Sequence, residues 1–400
     1  MDPIQKPLKK RYKYRIYPNQ TQQESLNKLF GCCRYVFNRL LAENKEAAEK
    51  AKIFDDKSFL KSPNHFDMCG RITAWKQEEN TSWLGEVCAQ ALQASAGNLA
   101  QAYKHAFKNK KGYPQFKSKF GQQSAEISNQ SYLLKNGKLK IGRISDPIQV
   151  KWDRPLPLKG VTACTIIKTA SGQYYASFVV EVEKSQTQGQ GILGIDAGLT
   201  DLYILSTGEI IKNPRHFVKA QKKLARLQRK HSKKKKGSKN REKSRLKVAK
   251  CHQKTANQRR DHLHKLSTRL IRENQAIAVE NLKVSNMVRN PKLSKHIHDA
   301  GWGMFKQMLI QKVQGNDGCK LYLADPYYPS TQLCSCCGKK PELRIKLGVK
   351  LWTCLHCLTT HQRDDNAAQN LRILAELHHK VCKNTIQANV IMTTKHGLLV

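Results

Sequence analysis

The stretch Ile192-Leu193-Gly194-Ile195-Asp196-Ala197-Gly198 decides the fold, because an apolar run ends there in a carboxylate between two glycines. A short apolar run of this kind predicts a strand that is buried on both faces, as in a parallel sheet. Such a strand carries Asp196 into a low-dielectric environment, where an unpaired ionised carboxylate is costly or takes up a proton. The rest of the chain therefore has to supply a cation or a metal for Asp196.

Two further carboxylates follow similar signals. Glu280 ends a second apolar run, and Asp364 opens an Ala-rich helix. Each has an ordinary interpretation when taken alone. A Glu at the end of a strand can face solvent, and an acidic residue in the first turn of a helix interacts favourably with the helix dipole. The set lies in a βββαβαβα order, however, and this order indicates an RNase H-like fold whose strands and closing helix bring such groups together.

Three clustered carboxylates repel one another unless divalent cations bind between them. We therefore predict that Asp196, Glu280 and Asp364 bind two Mg²⁺ ions about 4 Å apart, a geometry that serves the in-line hydrolysis of a phosphodiester. The glycines beside Asp196 are interpreted as allowing a phosphate backbone to approach closely.

The charge of the chain indicates a polyanionic partner. There are 72 Lys and Arg against 30 Asp and Glu, which gives a formal net charge of +42, well beyond what solubility requires. Residues 219–250 contain 16 basic residues and one acidic residue, and such a segment repels itself unless a polyanion lies near it. Four lysines at 233–236, followed by Gly237-Ser238, predict a break between two antiparallel helical arms. Nucleic acid is the expected partner.

No feature of the sequence predicts a membrane protein. No apolar run approaches 18 residues, and residues 1–19 do not resemble a secretory signal. We therefore expect a cytoplasmic protein without a membrane partner.

Five of the 13 cysteines lie within 24 residues, a spacing typical of a metal site rather than a disulfide framework. Four of them form two CxxC pairs separated by 16 residues: Cys334 with Cys337, and Cys354 with Cys357. We predict that these four thiolates bind one structural Zn²⁺ in a closed tetrahedral site. An iron–sulfur cluster or a cluster of free thiols is the alternative. Cys336 and His356 fall between the ligands and are interpreted as spectators.

The N-terminal half predicts a sheet with inserted helices. Residues 10–17 alternate between apolar and basic side chains, which predicts a half-buried strand. Thr21-x-x-Glu24 predicts a capping box at the start of the first helix. Short β segments between residues 132 and 183 predict a small barrel or curled sheet that the first strand completes, and the polar residues 184–191 predict a linker. The aromatic and Lys-rich segment 113–120 suits either base stacking or a surface turn.

In combination, these motifs resemble the TnpB family of transposon-encoded RNA-guided DNA endonucleases, which is related to type V CRISPR effectors. The likeness covers about residues 10–375 and rests on the following stretches: YRIYPNQTQQ at 14–23, FGCCRYVFN at 30–38, YPQFKSKF at 113–120, GIDAG at 194–198, VEN at 279–281, YPSTQLCSCCG at 328–338, WTC and CLHC at 352–357, and RDDNAAQNL at 363–371. Many relatives carry Asp-Arg-Asp where this chain has Gln362-Arg363-Asp364. Asp364 is assigned by its place between Arg363 and x-Asn-Ala-Ala, and Asp365 is the fallback.

The resemblance implies an α+β multidomain fold. A β-barrel-like wedge domain at residues 1–17 and 126–184 would hold an inserted helical recognition domain at 18–125. A RuvC-like α/β nuclease domain of the RNase H-like fold, at 192–333 and 358–375, would hold a zinc ribbon at 334–357. Residues 376–400 would form a C-terminal tail outside the match.

The resemblance also implies an activity. A guide RNA from the transposon end would pair with target double-stranded DNA beside a short flanking motif, and the triad Asp196, Glu280 and Asp364 would cut that DNA in a prokaryotic nucleoid. One alternative is an RNA-guided DNA-binding regulator that has lost cleavage, which the presence of all three carboxylates disfavours. The other is an unguided RNase H-like resolvase or transposase, which needs neither the N-terminal domains nor so much RNA-binding charge.

Overall fold

The computed structural model describes residues 8–60, 64–109, 112–157, 160–346, 348–382 and 389–393. The chain divides into two compact units, Met1–Val182 and Glu183–Val400. The division falls beside the predicted linker at 184–191. In the described part of the chain, no helix has the length and apolar character needed to cross a membrane.

The first unit is a seven-stranded antiparallel sheet with three α-helices inserted between its first two strands. Its elements are β1 (Leu8–Tyr17), α1 (Gln20–Ile53), α2 (His65–Trp75), α3 (Ala89–Asn109), β2 (Gln123–Ser128), β3 (Tyr132–Lys135), β4 (Lys138–Ile141), β5 (Ile148–Lys151), β6 (Val161–Lys168) and β7 (Tyr174–Val182). The strand order is β2-β6-β7-β1-β5-β4-β3. Strand β1 pairs with both β7 and β5, so the first strand completes the sheet as predicted. Strand β2 begins slightly ahead of the expected boundary at residue 126.

The start of α1 differs from the sequence prediction. Asn19 is the N-cap, and its side chain accepts a hydrogen bond of 2.8 Å from the backbone N–H of Gln22. The Gln22 side chain in turn accepts one of 2.9 Å from the backbone N–H of Asn19. The predicted box of Thr21 and Glu24 is therefore wrong, because the helix begins directly after Asn19 and encloses both residues.

The second unit contains a mixed six-stranded sheet. Its elements are β8 (Gly191–Ala197), β9 (Asp201–Leu205), β10 (Ile210–Lys212), α4 (His216–Ser232), α5 (Lys239–Glu273), β11 (Asn274–Glu280), α6 (Val284–Met287), α7 (Pro291–Ala300), α8 (Trp302–Gln314), β12 (Lys320–Ala324), β13 (Leu351–Thr353), β14 (Thr360–Gln362), α9 (Arg363–Cys382) and β15 (Val390–Met392). The strand order is β10-β9-β8-β11-β12-β15, in which β8, β11, β12 and β15 run parallel. The helical segment breaks between α4 and α5 at the predicted lysines.

Helices cover both faces of this sheet. Leu193 and Ile195 of β8 face the cluster that includes Leu270 of α5 and Phe305 of α8. The alternate residues of β11 are small alanines that face α9. Because side chains alternate along a strand, Gly194 and Asp196 share the face that α9 covers.

Gly194 is required for this packing. A Cβ atom at Gly194 would overlap the Ala368 carbonyl oxygen and the Arg372 backbone nitrogen of α9, because both lie well inside van der Waals distance. The space beside Gly194 is thus filled by the helix, so this glycine serves packing rather than the approach of a phosphate backbone. The absence of a side chain brings α9, which begins with the Asp364 segment, close to β8.

The C-terminal residues take part in the sheet. Within the expected tail at 376–400, residues 376–382 complete α9, and β15 pairs in parallel with β12 through Leu321, Tyr322 and Leu323. Ile391 is buried in the same cluster as Tyr322. Apolar burial explains why this strand joins the sheet.

Candidate functional site

Asp196 and Glu280 lie side by side at the carboxyl ends of neighbouring parallel strands. In the register of β8 and β11, Ile195 pairs with Val279, and the next residue of each strand is the carboxylate. Asp196 is 7% exposed. The sheet therefore places two acidic side chains at one edge, on the side that α9 covers.

Asp364 stands in the first turn of α9 and has two cationic partners. Its Oδ1 atom is 2.9 Å from Nη2 of Arg363, and its Oδ2 atom is 2.6 Å from Nζ of Lys350. The backbone N–H of Arg363 donates a hydrogen bond of 2.8 Å to the Lys350 carbonyl oxygen. These contacts fix the start of α9 to the segment that precedes β13.

The charges of the other two carboxylates act on Asp196. Burial raises the pKa of Asp196 well above its ordinary value, the charges of Glu280 and Asp364 raise it further, and Arg363 opposes them. Burial also raises the pKa of Glu280, against a hydrogen bond from Ser330 that lowers it. These directions mean that Asp196 and Glu280 resist being ionised at the same time.

The pKa of Asp364 shifts in the opposite direction. Burial raises the pKa of Asp364, but hydrogen bonds and charges from Lys350 and Arg363 outweigh burial and bring the pKa below its ordinary value. The backbone N–H of Asp365 donates a hydrogen bond of 2.7 Å to the Gln362 side chain. The charge of Asp364 raises the pKa of Asp196, so Asp364 remains the residue assigned in this turn.

The chemistry of these residues fits divalent cations. Carboxylate oxygens are the ligands that Mg²⁺ takes in proteins, and a buried acidic pair with raised pKa values is stabilised when a cation binds. In the described ranges, the four cysteines are the one set of His, Cys, Asp and Glu ligand atoms that all lie within 4.8 Å of one another. The three carboxylates as a set do not meet this distance. The Asp364 side chain instead forms ion pairs with Lys350 and Arg363.

The four predicted cysteines form a second candidate metal centre. The Sγ atoms of Cys334 and Cys357 are 3.5 Å apart, and those of Cys337 and Cys354 are 3.7 Å apart. Four sulfurs around one tetrahedral Zn²⁺, with Zn–S bonds of about 2.3 Å, lie about 3.8 Å from one another. The thiols are thus already spaced for zinc.

Two matching turns produce this spacing. In the first, the backbone N–H of Gly338 donates to the Cys334 carbonyl oxygen at 2.8 Å; in the second, the N–H of Leu358 donates to the Cys354 carbonyl oxygen at 2.8 Å. Both turn residues are left-handed, with φ of 72° and 59°, which suits glycine but is unusual for leucine. Cys336 and His356 are exposed and lie outside the cluster.

The basic segment forms a helical hairpin, which we call the basic arm and define as α4 and α5. A cleft of about 550 Å³ runs between the two helices. Its lining includes five lysines: Lys219, Lys223, Lys247, Lys250 and Lys254. A groove with this many ammonium groups suits a phosphate backbone.

Comparison with known proteins relates most of the chain to one group. A family model described as "Probable transposase" matches residues 177–291, a "Helix-turn-helix domain" model matches 8–52, and a "Cas12f1-like, TNB domain" model matches 302–371. A "Putative RNA-guided DNA endonuclease" of Streptomyces pristinaespiralis is 36% identical over 386 residues, which cover 95% of this chain and 92% of that protein. The chain belongs to the TnpB family.

Two further proteins resemble this TnpB-family chain. "Putative RNA-guided DNA endonuclease InsQ" of Escherichia coli strain K12 is 30% identical over 382 residues, or 90% of each protein. A chain of the "Cryo-EM structure of the Cas12f1-sgRNA-target DNA complex" is 12% identical, with a TM-score of 0.49 over 88% of this chain and 83% of that one. In the TnpB-family chain, the residues that match the helix-turn-helix model form β1 and most of α1.

Sequence reasoning missed several residues of the TnpB-family site. Lys350 contacts Asp364, Ser330 donates to Glu280, and Nε2 of His361 lies 3.1 Å from Sγ of Cys334. Lys350 and Ser330 stand in irregular segments whose side-chain directions no periodicity predicts. His361 had a signal, since alternation in a short strand places it opposite Trp352 on the inner side of the β13–β14 hairpin.

Proposed function

We propose that this chain is an RNA-guided DNA endonuclease that cuts target DNA with Asp196, Glu280 and Asp364. One observation carries the residue assignment: two carboxylates end adjacent parallel strands, and the charge of the third acts on the first of them. The ends of parallel strands are a common position for ligand sites in α/β sheets. The relatives with similar sequences are named for this activity.

The residues have distinct roles in this proposal. Asp196 and Glu280 supply oxygen ligands from the sheet, and Asp364 supplies another from α9. Lys350 and Arg363 keep Asp364 ionised before a cation arrives. Bound Mg²⁺ would supply Lewis-acid stabilisation of the charge that develops on the phosphate and would activate a water. The four cysteines would hold a structural Zn²⁺, as in other closed four-thiolate sites.

A second surface, the basic arm, contacts nucleic acid in this proposal. The basic arm contacts the phosphate backbone of the guide RNA or of its pairing with target DNA, because its cleft is lined by lysines. The first unit serves as the wedge-like β domain with its inserted helical recognition domain. The second unit is the RuvC-like nuclease domain with the zinc ribbon inserted.

A cleavage assay tests the function. Protein purified from cells that carry its native locus is expected to co-purify with a bound RNA. With Mg²⁺, this complex is expected to cut a plasmid whose sequence matches the guide end of the RNA. Asp196→Ala is expected to keep the RNA and lose cleavage. Cleavage at the wild-type rate by Asp196→Ala would overturn the site assignment. Tight target binding without any cleavage by the wild-type protein would point to a DNA-binding regulator, and recovery without RNA would point to an unguided nuclease.

A further inference from the structure

The loop between β12 and the first cysteine turn contacts Glu280. Ser330 lies in this loop and is 3% exposed. Its hydroxyl group donates a hydrogen bond of 2.8 Å to Oε1 of Glu280. A hydrogen bond to an ionised acceptor is about twice as strong as one between neutral groups, so this contact restrains one oxygen of a side chain that has three rotatable torsions.

Two asparagines of α9 hold the same loop. Asn366 and Asn370 are 1% and 3% exposed and stand one helical turn apart. The Asn370 amide donates to the carbonyl oxygens of Ser330 and Leu333 at 2.7 and 2.8 Å, and the Asn366 amide donates to Leu333 at 2.7 Å. The loop that carries Ser330 is thus fixed by buried hydrogen bonds to the helix that carries Asp364.

The same helix also grips the first cysteine turn. The backbone N–H of Ser335 donates a hydrogen bond of 2.9 Å to Oδ1 of Asn366, and Ser335 directly follows Cys334. The Cys334 thiol is fully buried within the four-cysteine cluster. A continuous set of short contacts therefore runs from a zinc ligand through the loop to the Glu280 carboxylate.

We infer that Ser330 is a positioning residue for Glu280, and that Asn366 and Asn370 of α9 hold the loop that carries Ser330 in place. This inference rests on the proposed function, because it takes Glu280 as a cation ligand. A buried hydroxyl could satisfy its hydrogen-bonding needs on a nearby carbonyl. Ser330 instead donates to an acidic side chain on another strand, and two buried asparagines maintain its place. Groups that orient metal ligands in this way commonly contribute 10- to 100-fold to metal affinity.

A Mn²⁺ titration tests the inference. It uses the full-length, zinc-loaded protein without nucleic acid, and free Mn²⁺ is measured by electron paramagnetic resonance. Ser330→Ala is expected to weaken Mn²⁺ binding by about 10- to 100-fold while the zinc content stays at the wild-type level. Ser330→Thr keeps the hydroxyl group and is expected to restore binding. Ser177→Ala is the matched control, because it removes a serine that is 4% exposed from β7 of the first unit, and it should bind Mn²⁺ as the wild type does.

The outcomes separate this inference from the proposed function. Wild-type Mn²⁺ affinity in a folded, zinc-loaded Ser330→Ala protein would overturn the inference alone. If that variant does not fold, Asn370→Ala serves instead, since it frees the loop but keeps the hydroxyl group; unchanged Mn²⁺ affinity there would likewise overturn it. If Asp196→Ala binds Mn²⁺ as tightly as the wild type, the carboxylates are not a cation site, and the proposed centre fails together with the inference.

Discussion

The two candidate metal centres of the second unit are assembled in opposite ways. The four cysteines lie within 24 residues, and two tight turns bring their thiols within 4.8 Å of one another. The three carboxylates come from positions 196, 280 and 364, and only the pairing of β8 with β11 and the packing of α9 bring them together. A local centre is thus preformed by turn geometry, whereas a non-local centre depends on the packing of the whole domain.

Removal of one thiolate should have the largest effect, because it acts on the preformed centre. The free energy of zinc binding by small zinc domains is about 10–16 kcal/mol. A four-thiolate site loses much of this binding free energy when one ligand is removed. Cys337→Ser is expected to lose most of its zinc during purification, as measured by atomic emission. Cys336→Ser is the control, since this exposed thiol lies outside the cluster. Equal zinc loss in both variants would refute the ligand assignment.

Neutralising one carboxylate should separate activity from stability in the non-local centre. Glu280→Gln keeps the shape of the side chain and removes its charge. We expect cleavage to fall about 1,000-fold, the equivalent of about 4 kcal/mol of lost charge stabilisation. Without divalent cations the variant should unfold at a higher temperature, because a repulsion with buried Asp196 is removed.

Glu209→Gln is the control for this variant. Glu209 forms a solvent-exposed ion pair with Arg269, and such pairs contribute little to stability. Cleavage by Glu280→Gln near the wild-type rate, or a melting temperature below that of the wild type in chelator, would contradict the assignment.

Filling the space beside Gly194 should weaken the contact that joins α9 to the sheet. A methyl group there meets backbone atoms of α9, which move only with the helix. We expect Gly194→Ala to lower the free energy of unfolding by about 3 kcal/mol, measured by denaturant titration. Gly303→Ala in α8 is the control, since its nearest neighbour is a side-chain atom at 3.9 Å. Equal stabilities of the two variants would disprove the role of Gly194.

The smallest effect concerns the pH dependence of stability without divalent cations. The pKa of Asp196 is raised in the folded state, so the folded protein binds the proton more tightly than the unfolded chain. Stability from this group is therefore present below its ordinary pKa of 3.8 and is lost as the pH rises through the raised pKa.

The stability difference between Asp196→Asn and the wild type isolates this group. We expect the free energy of unfolding of the variant to rise relative to that of the wild type as the pH rises from 4 to 8. The expected rise is about 1.4 kcal/mol for each unit by which the pKa is shifted. Addition of Mg²⁺ should narrow the difference, because the cation stabilises the charged wild type. A difference that does not change with pH would contradict the electrostatic coupling.

The contrast between the two centres also explains what the sequence could predict. CxxC spacing fixes the geometry of a turn, so the four cysteines were found directly. The carboxylates were found because apolar runs before Asp196 and Glu280 predicted strand ends, and because the motif order resembled a known family. The βββαβαβα order of elements along the second unit was predicted in the same way, but the strands β13, β14 and β15 were not.

Side chains in irregular segments were beyond prediction. Ser330 and Lys350 contact the carboxylates from loops, where no period fixes a side-chain direction. The contribution of β15 was missed because three residues are too short a signal. The capping box was misplaced because both Asn19 and Thr21 are good N-caps, and they are only two positions apart in the sequence.

Strand β15 and helix α9 have a consequence for synthesis of the protein. The ribosome makes the chain from its N-terminus, and domains begin to fold as they emerge. The strands that carry Asp196 and Glu280 emerge first, and α9 with Asp364 and then β15 at the edge of the sheet emerge after them. A nascent chain that ends before α9 thus lacks one of the three proposed acidic ligands, so the proposed centre can form only after α9 has been synthesised.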